Sequence, residues 1–147
     1  MIIKRQQDPS VKETEVVIRY AQENKEVKQL LAFMNSMEEK ILCAGGRFVR
    51  ASEIYYIESV DKKTFIYLEK EVIRGQDRLY QLREELGESG FVQVSKSCLL
   101  NLNYLECIRP LQNSRMEALL FNGEKIFINR RYLHEIREVL KKEETGC

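Results

Sequence analysis

Within FVQVSKSCLLNLNYLECI, residues 91–108, a strand-like alternation is broken by Ser95-Lys96-Ser97, two short hydroxyl side chains flanking one long cation. A lysine that interrupts a strand must carry its ammonium out of the core, and hydroxyl donors beside it suit phosphate oxygens and a base edge at a turn. Two further cationic groups stand at junctions of elements: Lys62-Lys63, followed by Thr64, and Arg130-Arg131, preceded by Asn129. Junctions are where binding side chains concentrate. The arginine pair falls in the expected first turn of a helix, where a cation opposes the positive end of the dipole at a cost of about 0.3 kcal/mol or more. An anion at that helix start would compensate, since exposed N–H groups and two guanidinium forks can hold a phosphate or reach a guanine edge.

Catalytic chemistry has no comparable seat. His134, the only histidine, lies on the outer face of the last expected helix beside Glu135 and Arg137, a solvated position. The sequence contains no His-Glu-x-x-His, Gly-x-Ser-x-Gly, P-loop or Gly-x-Gly-x-x-Gly, and Glu84-Glu85 reads as a solvated helix face. Cys43, Cys98, Cys107 and Cys147 lack Cys-x-x-Cys spacing, so reduced thiols are expected, with no disulfide, metal or cofactor. No enzymatic activity and no small-molecule substrate are expected.

The elements that must position these groups follow from periodicity. TEVVIRY (14–20) puts Val16, Ile18 and Tyr20 on one face at period two and predicts a half-buried strand. Asn24 suits an N-cap, and Val27, Leu30, Leu31 and Met34 follow at the spacing of an amphipathic helix. From Ile41 short strands take over: ILCA and RFVRA around a two-residue Gly45-Gly46 turn, then IYYIESV (54–60) and TFIYLE (64–69) across a polar link of residues 61–63. A helix over Leu79, Leu82 and Leu86 is expected, with Asp77 in its first turn and Gly87 as a left-handed C-cap. MEALLF and EKIFI flank Asn122-Gly123, a strong hairpin signal, and NRRYLHEIREVL closes as a helix with Leu133, Ile136 and Leu140 inward and a frayed KKEETGC tail. The fold class is therefore mainly β with short helices (α+β): a strand-helix extension over 1–40 and a β body over 41–147. The extension either adds to a sheet of that body or forms a dimer contact; the sequence leaves both open.

With 147 residues the chain is long enough for one domain that buries roughly 68–70% of its unfolded surface. Its net charge is +1, from 24 basic and 23 acidic residues, so bulk charge does not indicate nucleic acid and the distribution of the cations must carry that argument. MIIKRQQDPS lacks the apolar region of a secretory signal, and no apolar run approaches ~18 residues, so a cytoplasmic location is expected.

Three segments, IYYIESV (54–60), FVQVSKSCLLNLNYLECI (91–108) and FNGEKIFINRRYLHEIREVL (121–140), resemble in order and spacing the LytTR DNA-binding domain of bacterial transcription regulators. The resemblance spans about residues 41–142, with Phe91, Ser97, Leu100, Asn101 and Ile108 in register. It implies small packed β-sheets whose loops enter successive major grooves of double-stranded DNA. Carried over by position, the contacting residues are Lys62, Lys63 and Thr64, Ser95 and Lys96, and Asn129, Arg130 and Arg131, with Ser97 and Asn101 structural nearby. Ser95 stands where members of the family often carry His. The family is usually joined to a receiver domain of ~120 residues, which residues 1–40 are too short to supply, so regulation is expected through abundance or a protein partner rather than phosphorylation in cis. A homodimer on repeated sites is expected, because one module buries only ~600–1,000 Å² on DNA. The competing expectations are a protein-interaction adaptor that uses a strand edge or the Val27–Met34 helix, and an RNA binder that stacks bases on Tyr55, Tyr56 or Tyr67.

Overall fold

The computed structural model describes residues 1–139. Helix α1 (Lys25–Glu38) starts where expected, with the Asn24 side chain accepting from the Val27 amide at 2.9 Å. Three sheets follow. The first is the hairpin β1 (Lys40–Leu42) and β2 (Phe48–Arg50). The second has five antiparallel strands: β3 (Tyr56–Val60), β4 (Lys63–Tyr67), β5 (Val72–Arg74), β6 (Phe91–Ser95) and β7 (Cys98–Asn101), in the order β5-β4-β3-β7-β6. The third, β10-β9-β8, consists of β8 (Leu105–Pro110), β9 (Met116–Leu120) and β10 (Lys125–Ile128). Helices α2 (Leu79–Leu86) and α3 (Arg130–Val139) complete the body. No helix among the described residues is long and apolar enough to cross a membrane.

The five-stranded sheet is covered on both sides, and strand alternation explains how one short sequence serves two cores. Ile57, Ile66 and Leu99 point to one side, where Leu82 and Leu86 of α2 meet Ile41, Val49 and Ile54. Tyr56, Cys98 and Leu100 point to the other, against Ile108, Ala118, Leu120 and Ile128 of the third sheet and Ile136 of α3. Cys98, Leu99, Leu100 and Asn101 are consequently all buried. Leu99 and Leu100, facing opposite ways, each contribute about 1.5–3 kcal/mol of burial.

Several expectations are corrected. Residues 14–20 form no strand, and Val16, Val17 and Tyr20 are exposed. Other elements stand at both edges of the five-stranded sheet: the β1–β2 hairpin meets the β5 side through a Cys43–Gly75 bridge and an Arg47–Glu71 ion pair, and the Asn129 amide before α3 donates to the Val94 carbonyl of β6. Helix α1 of the expected extension packs on the body: Asn35 donates to the Glu88 carbonyl at 3.2 Å, and Lys25 and Gln29 donate to the Arg137 and Val139 carbonyls.

Gly87 is right-handed and continues into a 3-10 turn, so the left-handed glycine is Gly90, and Asp77 precedes the Arg78 cap rather than lying in the first turn. The first hairpin turns through three residues, Ala44–Gly46, and β5 was not anticipated. The Asn122-Gly123 hairpin also has three loop residues, with Gly123 at φ 87°. Cys43 and Cys98 are free, but Cys107 is disulfide-bonded, against the expectation of reduced thiols throughout. Leu140 and the KKEETGC tail lie outside the described residues.

Candidate nucleic-acid interface

The turn between β3 and β4 is two residues long, Asp61-Lys62, because Val60 pairs with Lys63. Both turn residues have positive φ, 52° and 66°, as a hairpin turn matched to strand twist requires. Neither is glycine, so the chain accepts local strain to place an acid and a lysine there. Lys62 and Lys63 are exposed.

Thr64 is not. It is 2% exposed, one residue into β4 on the Ile66 side, and its Oγ1 donates to the Asp77 carbonyl at 2.8 Å. The expectation that Thr64 touches DNA is therefore corrected: the two-residue turn sets the phase of the strand, and that phase turns Thr64 inward.

The turn between β6 and β7 is Lys96-Ser97, since Ser95 pairs with Cys98. Lys96 and Ser97 are exposed and Ser95 is half-buried. Ser95 Oγ accepts from the Ser97 amide at 3.3 Å, and Gln93 Nε2 donates to the Lys96 carbonyl at 3.4 Å. Gln93 is held in turn by Arg83 of α2, whose Nη1 donates to its Oε1 at 2.8 Å and whose other nitrogen lies 3.8 Å from Glu135 of α3. Arg83 and Gln93 belong to different elements ten residues apart, and no spacing rule points to them.

These two turns occupy the same end of the sheet. β7 runs antiparallel to β3, so the start of one lies beside the end of the other, and the Ser59 amide donates to the Ser97 carbonyl at 2.8 Å. The third group joins them through an irregularity. The register of β6 shifts between Gln93 and Ser95, a bulge at Val94. The Val94 carbonyl accepts from the Asn129 amide at 2.8 Å, which anchors the start of α3 next to the Lys96 turn. Asn129 is exposed and caps the helix, its Oδ1 accepting from the Arg131 amide at 3.1 Å, while Arg130 and Arg131 are exposed in the first turn, which has no acidic residue. Lys62, Lys63, Lys96, Arg130 and Arg131 thus share one end of the molecule, on backbone fixed by direct hydrogen bonds. His134 is exposed beside Glu138 on α3.

Asn101, expected as a structural residue near the Ser95-Lys96 turn, lies instead at the far end of β7, opposite Phe91 at the start of β6, and is fully buried there. Its Nδ2 donates to the Ile54 carbonyl at 2.8 Å and its Oδ1 accepts from the Asn103 amide at 3.0 Å, so it satisfies backbone. The tyrosines expected as an alternative stacking platform are occupied internally. Tyr56 stacks on Tyr67 at 4.1 Å and Tyr55 on Tyr104 at 3.9 Å, and Tyr67 donates to Glu58. Burial pushes the Tyr56 and Tyr67 phenols upward, and the neighbouring carboxylates add to the effect.

Residues 45–141 match the family model described as the LytTr DNA-binding domain. The chain is 28% identical over 93 residues to a sensory transduction protein LytT of Bacillus anthracis, covering 63% of this chain and 38% of that protein. It spans about two fifths of the length of the LytT relatives of Bacillus anthracis and Bacillus cereus. An uncharacterized HTH-type transcriptional regulator of Staphylococcus aureus is 23% identical over 138 residues, with 89% of this chain and 93% of that protein covered. Among solved structures, a LytTr DNA-binding domain from Bacillus cereus has the same fold, with a TM-score of 0.60, 24% identity, and coverage of 68% of this chain and 93% of that one.

Proposed function

Because the chain belongs to the LytTR DNA-binding domain family, we propose that it is a bacterial transcription regulator that binds double-stranded DNA sequence-specifically through the turns at one end of its five-stranded sheet. The observation that carries this reading is the convergence of three cationic groups, distant in sequence, on that end. Lys62, Lys63 and Lys96 neutralise phosphates, and the start of α3 adds a helix N-terminus with Arg130 and Arg131 for phosphate oxygens or guanine edges. Asn129 and Ser95 bond the backbone that presents these cations. In this reading the chain acts by binding alone, and no bond-breaking step is assigned to it.

Selection from random duplexes, followed by fluorescence anisotropy on the enriched sequence, tests the reading. An enriched motif bound with log K falling against log salt is expected, with a slope near −0.9 for each phosphate neutralised. Failure to enrich any motif, together with salt-insensitive or absent binding, refutes it.

A further inference from the structure

Residues 14–20 pose a problem that the single chain does not solve. TEVVIRY has the alternation of a strand and runs without a bend or turn, yet no backbone hydrogen bond among the described residues engages it. Val16, Val17 and Tyr20 are exposed, Ile18 is half-buried, and the edges of the five-stranded sheet are flanked by other elements. An exposed segment with strand alternation and unpaired backbone groups is a template for pairing with a strand of another chain.

The sequence itself specifies that partner. Around Val17 the residues are Glu15-Val16-Val17-Ile18-Arg19, acid and base at mirrored positions with apolar residues between. We propose that residues 14–20 pair antiparallel with the same segment of a second copy, about a two-fold axis at Val17. In that register Val17 faces the partner's Val17, Val16 faces the partner's Ile18, and Glu15 faces the partner's Arg19. Symmetry repeats every pairing, so both charge pairs are complementary and the contact is isologous. Thr14, Val16, Ile18 and Tyr20 of both copies share one face of the ribbon, which gathers its larger apolar side chains on a single side. A parallel pairing in register would instead set Glu15 against Glu15 and Arg19 against Arg19. The inference does not depend on DNA binding.

Sedimentation equilibrium of the full chain tests it. A two-stranded ribbon is marginal alone, so the wild-type protein is expected to dimerise with Kd between about 10 μM and 1 mM. Glu15→Arg and Arg19→Glu each create two like-charge pairs and are expected to weaken association at least about tenfold. The double reversal E15R/R19E restores it, and an equimolar mixture of the two single variants forms a heterodimer as tight as wild type, because every opposed pair is again complementary. Circular dichroism of all variants stays unchanged, since the segment lies outside both cores. A wild-type protein that stays monomeric to 1 mM, an association indifferent to the single reversals, or a mixture that remains monomeric overturns the proposal.

Discussion

Replacing Lys62 by glycine moves stability and binding in opposite directions. Lys62 occupies the second position of the β3–β4 turn at φ 66°, where a Cβ costs about 1–2 kcal/mol. Glycine removes that cost but restores about 0.5–1 kcal/mol of freedom to the unfolded chain. The net gain is about 0.5–1 kcal/mol, which for a domain of this size raises Tm by about 2–4 °C. The same change deletes one phosphate contact, so the slope of log K against log salt becomes shallower by ~0.9, and at ~0.15 M salt binding weakens about fivefold. Scanning calorimetry and anisotropy at several salt concentrations measure the two effects on one preparation. A variant with unchanged affinity and slope would mean that Lys62 does not face DNA. A lowered Tm would mean that the turn is not strained as argued.

Arg131→Ala is expected to reduce the salt slope by ~0.9 and leave stability unchanged or raised by a few tenths of a kcal/mol, because a cation leaves the positive end of α3; anisotropy and urea denaturation measure each. Thr64→Val does the reverse: the Asp77 carbonyl loses its donor, urea denaturation shows a loss of about 1–2 kcal/mol, and DNA affinity per folded molecule is unaltered. Asn101→Ala strands the Ile54 carbonyl and the Asn103 amide in the interior and is expected to cost about 3 kcal/mol, read from the same denaturation curve. Burial pushes the Cys98 thiol up to about 12, with Glu58 adding to the shift, so alkylation of Cys98 in the native protein at pH 8 is slow and limited by opening of the fold. Because that folded value lies above the ordinary one, the associated stability is present below about pH 9 and declines as pH rises toward 12, which denaturation midpoints across that range record.

Much of the β body was legible because its strands alternate and its turns carry glycine or charge, as at residues 61–62 and 121–123. Helix α1 was legible from Asn24 and its apolar stripe, and the three cationic groups from their position at junctions. Thr64 was misread because it was carried over by position from the family resemblance as part of the strand-to-strand loop, whereas it lies one residue inside β4 and points into the core. The 14–20 segment was misread for another reason: alternation makes a strand possible, but a strand needs an open edge, and edges are settled by elements far along the chain such as the β1–β2 hairpin and α3. The same distance hides the Arg83–Gln93 contact that supports Lys96, which joins a helix and a strand with no shared periodicity.

Neighbouring strands fix the spacing of the two lysine-bearing turns. The hairpins β4–β3 and β7–β6 are adjacent in one sheet, so their centres stand two strand spacings apart, ~10 Å. On a B-form duplex that is about three base-pair steps, less than the ~12 Å width of a single major groove. In the proposed binding mode the Lys62 and Lys96 turns would act as the two points of a fixed caliper, with a span that fits within one groove. A target with a base pair inserted between the positions they touch should lose recognition of one point outright, since the hydrogen-bonded ladder between β3 and β7 cannot stretch to follow it.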